Sequence, residues 1–318
     1  MASHHRSMHG HLWLVGVAGL AAGVVLMVFV PSLAPVSRSL LLFAGFHLVG
    51  AVVALASAWL LADRHLSRRS TPKGLDFGWA AAWLHGPALA SVVVLSFAVA
   101  IQVAAPSWWP AAMALTLLAA GFFAGSRITR ATARPEAAFL PMVELLPDGD
   151  GVVLDAGCGA GRTVVALARG YGRASVVAVD RFDAAYIEGG GRQLLERNLD
   201  VAGLAGRVEV RPGDLLDLPA PDASFDAAVS AHAMDHLGRT TLRGLTEIFR
   251  VVKPGGRFLL VVWVPGWTMF AISNLASLFL ADTQAWRRMA AEAGFRLVDE
   301  GQHNGNWFLL LERPRQAC

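Results

Sequence analysis

The sequence predicts an α-helical membrane domain of four transmembrane helices, followed by an α/β domain on a mainly parallel, seven-stranded sheet. Three observations predict it. Residues 1–134 hold four long apolar stretches. Residues 135–318 alternate short β-branched runs with helical patterns. A glycine-rich turn stands directly after the first of those runs, where open parallel sheets bind ligands.

The apolar stretches run from Leu12 to Val30, Leu40 to Ala62, about Trp79 to Ala104, and Trp108 to Gly125. Each approaches the roughly 20 residues a helix needs to cross a bilayer core. With 55% hydrophobic and 16% charged residues in 318, the composition argues against a wholly soluble protein. The first stretch has a long apolar core and no clear cleavage site after it, so it reads as a retained span and not a secretory signal. Charge divides the chain too: 9 basic and 2 acidic residues up to Arg134, then 18 and 22. The early basic residues are Arg38 in the first loop, Arg64, Arg68, Arg69 and Lys73 in the second, and Arg127, Arg130 and Arg134 after the fourth span. The positive-inside rule places both termini and residues 135–318 in the cytoplasm, in a plasma or inner membrane. The net charge of +3 is thus a topology signal, and no nucleic-acid partner is expected.

Trp13, Trp59, Trp79, Trp83, Trp108 and Trp109 fall near span ends, where indoles suit the headgroup region. His47 and His85 lie well inside apolar runs, as packing residues or as functional polar groups. Gly121 and Gly125 form a G-x-x-x-G pair that permits close helix contact without specifying an oligomeric state. No charged run lines an ion path, so the expected role of the spans is anchoring.

Beyond Pro135 the expected strands are Val152 to Asp155, Ser175 to Val179, Arg207 to Val210, Phe225 to Ser230, Arg257 to Val264, Arg296 to Val298 and Trp307 to Glu312. Leu242, Leu245, Ile248, Phe249 and Val252 recur at helical spacing until Pro254-Gly255-Gly256 stops them. Asp282 or Thr283 is expected to cap a helix through Ala293, with Gly294 as its stop. Between them, Trp267 to Leu280 is apolar but shorter than a span, either a membrane-facing lid over an acceptor pocket or an ordinary packed helix. Cys158 and Cys318 form no disulfide framework or metal cluster, which suits a reducing compartment.

The turn Gly157-Cys158-Gly159-Ala160-Gly161 lets a ligand approach the backbone closely. Asp180 ends the second strand, where a carboxylate can accept both ribose hydroxyls, and Asp214 follows the third, placed for an adenine amino group. A nicotinamide-dinucleotide site is the competing reading, but the turn lacks the pyrophosphate-binding continuation. Four ordered blocks, VVLDAGCGAGRT, VVAVD, VEVRPGDLLDLP with SFDAAVS, and IFRVVKPGGRFLLVV, closely resemble the class I S-adenosylmethionine-dependent methyltransferases. The likeness is to their Rossmann-like, small-molecule branch and covers about Pro135 to Pro314. It implies S-adenosyl-L-methionine as cofactor, with Asp155, Gly157, Gly159 and Gly161 around its methionine part. It also implies Asp180 at the ribose, Asp214 and Leu215 at the adenine, and Arg181 or Phe182 beside the adenine.

Methyl transfer from a sulfonium is an in-line displacement that needs alignment and dryness more than a protein nucleophile. A base serves acceptors that must lose a proton. His232, nearest the fourth strand's end, is the candidate base, and Tyr186, His236 and Trp267 are candidate substrate contacts. For His232 and His236, structural roles and a metal pair stay open, although no third ligand is apparent; no metal is expected. The expectation is a membrane-anchored methyltransferase acting on a small lipophilic acceptor, with the bilayer as its other partner. A membrane-tethered protein methyltransferase and a non-catalytic cofactor-binding scaffold are the alternatives.

Overall fold

The computed structural model describes residues 12–30, 32, 34–64, 66–184, 187 and 191–315. These form two compact units. One gathers the chain up to Arg64 with His85–Ile128 and Ala271–Asn274; the other gathers His65–Leu84, Thr129–Phe270 and the chain from Leu275 on. This division is interleaved along the chain, whereas composition alone suggests one boundary after residue 134.

The first unit is built from apolar helices: α1 (Leu12–Phe29), α2 (Ala34–Ala58) extended by a π-helical turn (Trp59–Arg64), α3 (Ala81–Ala104) and α4 (Trp109–Ala133). Three helices among the described residues are long and apolar enough to cross a membrane: Pro35–Arg64, Ala81–Ala104 and Pro106–Ala133. In α1 the apolar stretch counted is Val17–Phe29, so three helices of span length, where four were expected, are found among the described residues. Leu89, Val92, Phe97 and Val103 of α3 are each more than 60% exposed. Two polar side chains inside these helices reach backbone carbonyls. Ser91 Oγ donates to the Ala119 carbonyl at 2.8 Å, and His47 Nδ1 lies 2.7 Å from the Phe43 carbonyl one turn earlier. With its ring also stacked on Phe43, His47 fits the packing reading. The Gly121 and Gly125 face of α4 meets Ala271–Asn274 of the same unit: a Cβ on Gly125 would overlap the Ala271 carbonyl, and one on Gly121 would lie 3.3 Å from Asn274 Oδ1.

The second unit carries the sheet. Its elements are β1 (Val152–Ala156), α5 (Arg162–Gly170), β2 (Ser175–Asp180), α6 (Arg192–Ala202), β3 (Val208–Pro212), β4 (Phe225–Ala231), α7 (Thr241–Val251), β5 (Val252–Val262), α8 (Trp267–Ser273), α9 (Thr283–Glu292), β6 (Arg296–His303) and β7 (Asn306–Glu312). The seven strands lie in the order β3-β2-β1-β4-β5-β7-β6. β1 to β5 pair in parallel, and β7 runs antiparallel to both β5 and β6. Because side chains alternate along a strand, Val153 and Val176 enter one core beneath α5 and α6, while Leu154 and Val177 enter another with Leu245 and Ile248 of α7. Both faces are covered, which explains the near-continuous apolar strands. The expected cap is present: Asp282 accepts from Ala285 N at 2.7 Å, and Gly294 at φ +101° ends the helix.

Strand order reverses between β1 and β4, which opens a crevice at the carboxyl ends of the strands. The glycine turn, Asp180 and His232 all lie at that edge.

Candidate active site

The turn after β1 is fastened to the end of β2. Gly157 N and Cys158 N donate to the Val179 carbonyl at 2.8 and 3.2 Å, and Gly159 N donates to Asp180 Oδ2 at 2.9 Å. Phe182 N donates to the other Asp180 oxygen at 2.7 Å. Two backbone donors therefore fix the carboxylate while leaving acceptor capacity on each oxygen. Gly157 has φ +83°, and a Cβ there would overlap that of Ala233. Only glycine lets the chain after β4 come so close to the turn. Leu215 Cδ1 lies 3.5 Å from the same point, which brings Gly157, Leu215 and Ala233 together.

Beneath the turn, Asp155 is fully buried, and neither carboxylate oxygen has a hydrogen-bond partner among the described residues. Burial pushes its pKa up to about 7; Thr163 opposes the rise without hydrogen-bond geometry, and the Asp180 charge adds to it. An unsatisfied buried carboxylate is rare in a folded chain. It fits a ligand that brings a cation, such as the ammonium of a methionine moiety. Cys158 is buried in the turn and its thiol pKa is raised, chiefly by desolvation, so it is unreactive.

At the edge of the turn, Asp214 Oδ1 accepts from Leu216 N at 2.9 Å, and Oδ2 lies 3.8 Å from Arg181 Nη1. Arg181 also pairs with Asp183 at 3.3 Å and is more than half exposed. It thus stands beside the expected adenine acid, held by charge.

His232 follows β4 at φ +60°, a conformation rare for a residue with a side chain. Its ring stacks on Trp263 at 4.8 Å and meets the edge of Phe139 at 5.4 Å. Nδ1 lies 3.4 Å from Asp235 Oδ2, while Asp235 Oδ1 accepts from Trp263 N at 3.2 Å. Both imidazole nitrogens are buried without a hydrogen-bond partner among the described residues. His236 sits edge-on to Trp263 at 6.0 Å. The segment Met234–His236 is a 3₁₀ turn and not an α-helix, so the two histidines do not share a helix face. No group of three His, Cys, Asp or Glu side chains that could hold a metal occurs among the described residues.

Trp267 begins α8 and is 82% exposed. Tyr186 lies outside the described residues, as does Cys318. Sequence reasoning missed Trp263, Phe139 and the pairing role of Asp235. Trp263, next to the end of β5, carried a usable signal, since β4 and β5 are neighbours whose carboxyl ends face the crevice.

Comparison with known proteins bears on this edge of the sheet. The family model described as "Methyltransferase domain" matches residues 153–256, from β1 into β5. Residues 153–256 thus form a methyltransferase domain. A sterol 24-C-methyltransferase of Yarrowia lipolytica is 33% identical over 144 residues, covering 45% of this chain and 35% of the relative. A fatty-acid O-methyltransferase of Mycolicibacterium smegmatis is 30% identical over 148 residues, covering 46% and 45%. The chain therefore spans less than half the length of these relatives. A methyltransferase structure from Aquifex aeolicus aligns over 51% of this chain and 82% of its own, at 21% identity and a TM-score of 0.45. The cofactor of the methyltransferase domain is S-adenosylmethionine, and the glycine turn with its unsatisfied carboxylate fits it.

Proposed function

We propose that the protein is a membrane-anchored methyltransferase that transfers a methyl group from S-adenosylmethionine to a small lipophilic acceptor. The observation that carries the reading is the cluster at the carboxyl ends of β1, β2 and β4 in a chain that also has three helices of span length. The outward-facing apolar side chains of α3 suit lipid contact, and the basic residues of the loops favour a cytoplasmic methyltransferase domain. The relatives named for sterol and fatty-acid substrates support a lipophilic acceptor. Trp267, Leu275, Leu278 and Phe279, each at least 60% exposed, suit an interfacial segment along which such an acceptor approaches.

Bound S-adenosylmethionine supplies an electrophilic methyl group on a sulfonium. Asp155 would hold the ammonium of its methionine part and Asp180 the ribose hydroxyls, with Asp214 and Leu215 at the adenine. His232 stands beside the turn with Asp235 at its Nδ1, which orients the ring and favours the imidazolium after Nε2 takes a proton from the acceptor. The rings of Phe139 and Trp263 exclude water around that nitrogen.

The test is transfer of label from radioactive S-adenosylmethionine in membranes carrying the native chain or Gly159→Arg, partitioned into organic, aqueous and protein fractions. A Cβ at Gly159 already meets Ile187 at 2.8 Å, at φ +50°, so an arginine blocks the turn. The proposal expects variant-sensitive label in the organic fraction. Variant-sensitive label in protein supports a protein acceptor instead, and cofactor binding without any labelled product supports the scaffold.

A further inference from the structure

The loop between the second and third apolar helices folds as part of the methyltransferase unit. Composition reads this loop through its basic residues, yet Leu66, Leu75 and Phe77 are all buried, and Leu75 and Phe77 belong to the core under α5 and α6. The loop is also tied down by Asn304, whose Oδ1 accepts from Ser67 N at 2.6 Å and whose Nδ2 donates to the Ser67 carbonyl at 2.9 Å.

Three residues of the loop stand behind the glycine turn and the arginine that follows it. Asp76 reaches Ala160 through Asn198 of α6, a fully buried side chain. Asn198 Nδ2 donates to the carbonyls of Asp76 at 2.6 Å and Ala160 at 2.9 Å, and its Oδ1 accepts from Asp76 N at 3.0 Å. Phe77 lies under the guanidinium of Arg162, 4.7 Å from its ring centre, with Phe139 on the other side at 4.4 Å. Arg162 directly follows the turn and donates to the carbonyls of Thr132, Ala133 and Arg134 at 2.7 to 3.2 Å. Burial lowers its pKa to about 10, with Glu136 opposing, so it stays cationic at neutral pH and ties those carbonyls to the residue after the turn. Trp79 pairs with Ile187 in an isolated bridge, and Ile187 Cδ1 is the group closest to a Cβ placed on Gly159.

We infer that this loop is a structural wall of the S-adenosylmethionine site, and that Asn198 and Phe77 are positioning residues for cofactor binding. The inference rests on the cofactor reading of the turn and assigns part of that site to a segment between two span-length helices. A turn held in its binding shape before the ligand arrives loses less freedom on binding, so loosening the loop raises the dissociation constant without touching a group that contacts the ligand.

The test uses the full chain in detergent, with S-adenosylhomocysteine as probe. Bound ligand is expected to slow amide exchange in residues 75–79 by about tenfold or more, because local opening of the loop then requires loss of the ligand. By calorimetry, Phe77→Leu and Asn198→Ala are expected to weaken binding about tenfold, and Lys73→Ala, exposed on the same loop, not at all. Unchanged exchange at 75–79 under saturating ligand overturns the inference, and this readout needs no variant to fold. Native affinity in both Phe77→Leu and Asn198→Ala overturns it as well. A native chain that binds no S-adenosylhomocysteine removes the cofactor reading itself, and this inference with it.

Discussion

Two edges of one sheet use the same residue types in opposite ways. At the amino ends of the strands, Asp226 of β4 accepts from Val152 N at 2.9 Å and from Lys253 Nζ at 2.6 Å. Desolvation pulls its pKa upward, but Lys253 and the Val152 amide outweigh it and hold the carboxyl below its usual range. At the carboxyl ends, Asp155 has no hydrogen-bond partner among the described residues and its pKa rises to about 7. Ser230 Oγ and both nitrogens of His232 are likewise buried there without a hydrogen bond among the described residues. Buried polar groups without partners cost stability, so a fold keeps them where a ligand completes them. The amino edge is a staple, and the carboxyl edge is the proposed binding site.

The largest expected effect breaks the carboxyl edge at its chemistry. For an acceptor that must lose a proton, His232→Ala is expected to lower kcat by about 10²- to 10⁴-fold with S-adenosylhomocysteine affinity unchanged. Asp235→Asn, which removes the charge beside Nδ1, should lower kcat by a smaller factor. Steady-state kinetics across pH with parallel calorimetry checks both, and a loss confined to KM would remove His232 from the proton transfer.

Next in size is the pH dependence of binding. A ligand ammonium favours ionised Asp155, so affinity for S-adenosylhomocysteine should climb by up to about tenfold per pH unit below pH 7 and level off above it. Asp155→Asn should weaken binding at pH 8 and flatten this climb. Stability of the ligand-free chain has the opposite sign. The folded chain holds a proton that the unfolded chain releases between about 3.8 and 7, so the contribution of Asp155 to stability falls as pH rises through that window. Melting curves from pH 4 to 8 should show that fall in the native chain and not in Asp155→Asn.

The smallest effect sharpens the contrast from the other edge. Asp226→Asn weakens the bond to Val152 N and leaves Lys253 without its partner, costing about 1–3 kcal/mol of stability. Affinity for S-adenosylhomocysteine should remain native. Denaturant unfolding with calorimetry separates the two readouts.

The contrast also explains what could be read without coordinates. The glycine turn, Asp180, Asp214 and the Asp282 cap are local: a few consecutive residues dictate the conformation, and the structure places each at the expected strand end or helix start. Phe77, Asn198 and Arg162 are not local. They are separated by up to 121 residues in the chain, and their roles depend on contacts that no periodicity encodes. The basic residues of the loop read as topology, which hid the apolar Leu75 and Phe77 beside them. β6 extends to His303 where only Arg296 to Val298 was expected, because an edge strand tolerates the polar run from Asp299 to His303. The signal for it was Asn304-Gly305, whose positive φ angles of 48° and 79° form the hairpin turn.

The most direct test is calorimetric titration of the full chain with S-adenosylhomocysteine, alongside Asp180→Ala and Asp226→Asn. One-site binding that Asp180→Ala abolishes and Asp226→Asn leaves intact is the predicted result. Equal binding by Asp180→Ala and the native chain, or no binding by the native chain, would contradict the assignment of the carboxyl edge as the cofactor site.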